Sequence, residues 1–134
     1  MQYDEFVGKV QNRARLPSTG EAVRAVHATL ETLAQRLFGG EAEDLAAQLP
    51  REIGSYLREA DRSRQESFGL DEFYRRVAEH AGPGLDYPDA VFRARVVMSV
   101  LTEAVSPGEI RDMRAQLPAE FNHLFQFEDI RDQA

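Results

Sequence analysis

A chain of 134 residues fits one domain, and its 43% hydrophobic content can supply that domain with a core. The net charge of −7 is spread along the chain without the concentration of basic residues that a phosphate backbone requires, so no nucleic-acid partner is expected. The absence of cysteine excludes disulfides, thiolate metal sites and a cysteine nucleophile, and no apolar run reaches the roughly 18 residues of a membrane span.

The N-terminal "MQYDEFVGKV" lacks a basic region followed by an apolar stretch, so no signal peptide is expected and the cytosol is the expected location. Phe6, Val7 and Val10 predict a short amphipathic helix that stops before "LPSTG". Ser18 and Glu21 have the Ser-x-x-Glu form of a capping box, in which each side chain satisfies the other residue's free backbone donor. Ala22, Val23, Val26, Leu30, Leu33 and Leu37 then recur at helical spacing, which predicts a long helix over 19–38 ended by Gly39-Gly40. A short helix over 41–48 follows, and Pro50 opens another that runs to Ala60. Residues 61–69 are a polar connector, either a mobile linker or the frayed end of that helix.

The same plan returns further on. A short helix is predicted over 71–80, "AGPGLDYP" is a loop, and 89–105 is a second long helix. Ser106-Pro107-Gly108-Glu109 combines a cap, a proline at the first helical position and a capping-box glutamate. "VVMSVL" at 96–101 is apolar on nearly every side, which places that helix at the centre of the protein. Its counterpart, with His27, Thr29, Glu31 and Thr32 at the equivalent places, is expected to be more exposed. No segment carries strand signals.

"DEFVGKV" at 4–10 matches "DEFYRRV" at 71–77, "EAVRAVHATLETLAQRL" at 21–37 matches 89–105, and "GEAEDLAAQLPREIGSYL" at 40–57 matches "GEIRDMRAQLPAEFNHLF" at 108–125. Three blocks in one order mark a tandem duplication. The predicted fold is all-α: a compact bundle of about eight helices in one domain, built from two four-helix repeats (3–60 and 70–127) related by a pseudo-twofold axis, with a short tail at 128–134.

Both repeats write Ala-Gln-Leu-Pro-x-Glu. Proline disfavours helical geometry in the residue before it, so Leu49 and Leu117 leave the helix as buried pins of a corner, while Pro50 and Pro118 suit the first position of the next helix. Glu52 and Glu120 meet the positive end of the helix dipole. Gln48 and Gln116 are left over: they bond a neighbouring helix end, or they line a symmetric binding site with the two glutamates.

Glu120 and His123 form a Glu-x-x-His pair on one helix face, the spacing used twice in di-iron carboxylate bundles. The matching segment, Glu52 to Ser55, has no second histidine, and neither His27 nor His80 extends the pair, so an exposed salt-bridging pair is the simpler reading and no metal is expected. The serines are caps and loop residues, and none stands in a Gly-x-Ser-x-Gly setting. No catalytic residue and no cofactor is predicted. A helix-turn-helix reading of 41–60 is weakened by charge, because Arg51 and Arg58 are balanced by Glu52 and Glu59, so DNA binding, like an enzymatic activity, is the lesser alternative.

The N-terminal "YDEFVGKV", the helix "EAVRAVHATLETLAQRL" and the two "AQLP" corners resemble an uncharacterised bacterial family, domain of unknown function 2267, over almost the whole chain. The resemblance implies a small all-helical bacterial protein and lends no catalytic residues. The expected function is that of a non-enzymatic helical module binding an unidentified protein partner or a second copy of itself. The apolar tail, "HLFQFEDI" at 123–130, motivates that expectation: Phe125, Phe127 and Ile130 form an interface unless the tail folds back over the core. The alternative is a metal or small ligand held in the groove between the repeats.

Overall fold

Helix-boundary chemistry divides the chain into α1 (Tyr3–Ala14), α2 (Thr19–Arg36), α3 (Glu41–Ala47), α4 (Arg51–Arg58), α5 (Leu70–Ala81), α6 (Tyr87–Ala104), α7 (Pro107–Arg114) and α8 (Glu128–Arg131). A single 3₁₀ turn at Arg62–Arg64 precedes α5, and a longer 3₁₀ helix, Ala119–Phe125, separates α7 from α8. The computed structural model describes residues 1–131, without the side chains of Asp129 and Arg131, and the last three residues of the predicted tail lie outside it. No strand occurs among the described residues, and none of their helices is long and apolar enough to cross a membrane.

Three side-chain caps set the starts of α2, α6 and α7: Ser18 Oγ accepts from the Glu21 N–H, Asp86 Oδ1 from the Asp89 N–H and Ser106 Oγ from the Glu109 N–H, each at 3.2 Å. The capping box at Ser106 is only half made. Its backbone N–H donates not to Glu109 but to Gln48 Oε1, at 2.7 Å.

The stretch Val96–Leu101 of α6 is fully buried, as its sequence predicts. The expectation for α2 needs correction, because Thr29 and Thr32 are also fully buried. Helices α1, α4, α5 and α6 all pack around α2, and the Thr32 hydroxyl donates to the Ala28 carbonyl at 2.8 Å, so its burial leaves no donor unmet. Helix α1 rests on α6 and α5 rests on α2, so elements from the two ends of the chain interleave around one core running from Phe6 to Ile130.

The polar connector is neither a loose linker nor a frayed helix. Arg36 Nε donates to the Phe68 carbonyl (2.7 Å), the Glu66 N–H donates to the Gln35 carbonyl (3.0 Å), and the Arg76 guanidinium lies 4.0 Å from the centroid of the buried Phe68 ring.

At the corners, Pro50 (φ −52°, ψ 146°) and Pro118 (φ −67°, ψ 166°) occupy the flanking N-cap position, one residue before the predicted place. Leu49 is buried as a pin, and Leu117 is half-buried. Helix α4 crosses α3 at Gly54, where a Cβ would stand 2.9 Å from the Ala46 carbonyl oxygen. The equivalent segment of the second half is 3₁₀ rather than α-helical. Phe121 and Leu124 stand three apart and both are buried, and residues three apart eclipse on a 3₁₀ helix. In α4 the buried Ile53 and Leu57 stand four apart, which suits the α-helix.

Candidate functional site

The Glu120–His123 pair does not form a shared site. Glu120 Oε1 accepts the Leu70 N–H at 2.8 Å and so serves the start of α5, while His123 Nδ1 lies 2.8 Å from the Tyr74 hydroxyl. Burial pushes the Tyr74 phenol well above its ordinary value, so it stays neutral, and the tautomer of His123 sets which of the two donates. Each member of the pair is committed to a different partner.

The two leftover glutamines have a structural role. Gln116 Oε1 accepts the Phe38 N–H at 2.8 Å, and its amide donates back to the Phe38 carbonyl at 2.9 Å. Gln48 Oε1 takes the Ser106 N–H, and its amide reaches Ser106 Oγ at 3.4 Å. Ser106 immediately precedes α7 and Phe38 lies three residues before α3, so the glutamine after each helix grips the chain entering the other. The two corners thus bond neighbouring helix ends, as one of the two sequence readings has it.

The apolar tail folds back. Phe127 is 8% exposed and Ile130 only 1%, while Phe125 is half-buried beneath the Arg114 guanidinium, which lies 4.4 Å from its ring centroid. Those burials withdraw Phe127 and Ile130 from any contact surface.

Between α3 and α7 the clasp encloses a group of acids that sequence reasoning missed. One carboxylate oxygen each from Glu41, Asp44 and Glu109 lies within 4.8 Å of the others. Glu41 begins α3 and is 8% exposed, and Glu109 sits in the first turn of α7. Among the described residues, neither Glu41 Oε1 nor Glu109 Oε2, both buried, meets a hydrogen-bond donor. Glu109 is free for this position because Gln48 has taken the backbone donor that a capping-box glutamate ordinarily binds.

The electrostatics follow from that geometry. Burial first, then the facing Glu109 carboxyl, then the charges of Asp112 and Asp44, raise the Glu41 carboxyl from 4.5 to about 7. Two carboxyls placed face to face hold together only when a proton or another positive charge stands between them. A signal for the cluster was present in the sequence: Gly-Glu-x-x-Asp occurs at 40–44 and again at 108–112, and these are the residues that meet.

Fold and site together define a small all-helical bundle with a carboxylate-lined seam closed by side-chain-to-backbone bonds. The chain belongs to the family described as uncharacterized conserved protein (DUF2267), whose model matches residues 3–124. No curated protein matches it.

Proposed function

We propose that the protein is a non-enzymatic binding module whose ligand is cationic and sits at the seam between α3 and α7. The observation that carries this reading is the convergence of Glu41, Asp44 and Glu109 around buried oxygens that no donor among the described residues satisfies. Every charge acting on Glu41 there is acidic, so the seam carries a local excess of negative charge for a ligand to neutralise. Association through the tail loses the feature that motivated it, since Phe127 and Ile130 lie in the core.

Native mass spectrometry of protein isolated from its own host tests the reading. The expected result is a mass above that of the bare chain, with the excess lost in a Glu41→Gln, Glu109→Gln double variant. Wild type and variant that both carry no added mass, or carry the same added mass, would refute it.

A further inference from the structure

We propose that the seam binds one hard divalent metal ion of the magnesium, manganese or calcium class through Glu41, Asp44 and Glu109. The proposal rests on the reading of the seam as a cation site and names the ligand class.

The acidic cluster is accompanied by a second observation. Glu41 is more than nine-tenths buried, its Oε1 meets no donor among the described residues, and its carboxyl faces that of Glu109. A solvated acidic surface would leave such oxygens to water. Here both unmet oxygens, Glu41 Oε1 and Glu109 Oε2, are shut away from solvent. A metal ion needs only such oxygens as ligands, whereas an alkylammonium would also have to seat its carbon chain.

The donor set narrows the class. All three candidate ligands are carboxylate oxygens, with no sulfur and no imidazole, and such sets suit magnesium, calcium and manganese ahead of zinc or copper. Metal–oxygen bonds of about 2.1–2.5 Å put opposite ligands roughly 4–5 Å apart. The 4.8 Å limit on the three oxygens lies within that span, so ligation needs small side-chain adjustments rather than a refolded seam.

Charge counting favours a metal over the proton. Asp112 on α7 adds a fourth acid acting on Glu41. One proton neutralises a single carboxyl and leaves the others facing one another, whereas a divalent ion balances two. The nearby bases do not take this role. Arg58 of α4 is held by Glu43 at 2.9 Å, Arg114 of α7 donates to Asn122, and Arg51 of α4 and Arg111 of α7 are exposed. None of them is among the groups that shift Glu41.

The test is isothermal titration calorimetry of chelator-stripped protein with Mn²⁺, Mg²⁺ and Ca²⁺, and with spermidine as an organic cation. Wild type, Glu41→Gln and Glu109→Gln are compared, with Glu59→Gln at the exposed end of α4 as the control. The expected result is one metal ion per chain, with affinity at least about tenfold weaker in either seam variant and unchanged in the control. Spermidine binding that depends on Glu41, with no metal binding, would overturn the metal assignment and leave the cationic seam standing. Metal binding that is equal in wild type and both seam variants, or no binding by any cation, would overturn both. The two variants are tested separately, so a folding defect in one leaves the other to decide.

Discussion

Replacing Glu41 by glutamine probes the seam through its pH dependence. In the metal-free protein, burial and the neighbouring acids raise this carboxyl from 4.5 to about 7. Between those values the folded state keeps a proton that the unfolded state has released, so stability falls as pH rises through the window. Above the folded-state value the whole cost is present. About 2.5 pH units at roughly 1.4 kcal/mol each gives a ceiling of about 3 kcal/mol. The proton belongs to the Glu41–Glu109 pair, and the facing carboxyls relax apart when both ionise, so about 2 kcal/mol is expected. Glutamine keeps the shape, removes the charge and offers Glu109 a donor. In chelator near pH 8, Glu41→Gln is therefore more stable than wild type by about 2 kcal/mol, and the gain shrinks toward zero near pH 4.5. Urea unfolding followed by far-ultraviolet circular dichroism across that range measures it. Parallel pH profiles for the two proteins, or a variant less stable throughout, would show that the pair does not share a proton in the fold.

The remaining predictions concern the clasp and the tail. Gln116→Ala removes both bonds to the Phe38 backbone, and with water near at hand to replace them the cost is about 1–2 kcal/mol in urea unfolding; Gln48→Ala behaves alike. Unchanged midpoints in both variants would deny the glutamines their structural role. Phe127→Asp loses a buried ring and introduces a charge where Phe127 is 8% exposed, so it lowers stability by about 3–5 kcal/mol or more in the same assay. A variant as stable as wild type would put that ring back on the surface.

The helices were legible because caps, prolines and apolar spacing agreed: Ser18 and Ser106 begin α2 and α7 where their sequences place them. The start of α6 was read late, at Asp89, although Pro88 in the first turn makes Asp86 the better cap. The burial of Thr29 and Thr32 was illegible for another reason. A threonine counts as polar in a periodicity, yet Thr32 meets its hydrogen-bond need inside its own helix. The seam acids were hidden by a sufficient local explanation, since glutamates in first helical turns already suit the helix dipole. Only the approach of α3 to α7 turns two unremarkable helix starts into one cluster, with Glu41 buried, Glu109 half-buried and Asp44 exposed. The 3₁₀ helix was legible in retrospect, in the threefold spacing of Phe121 and Leu124.

The glutamine clasp also determines how two amides exchange with solvent deuterium. The N–H groups of Phe38 and Ser106 precede helices and donate to side chains that follow the opposite helix, 78 and 58 residues away in the chain. Both bonds join α3 to α7, so their protection falls when the two helices part. Their exchange rates therefore report on the opening of the seam separately from the unfolding of the bundle, and a ligand that ties α3 to α7 would slow both together.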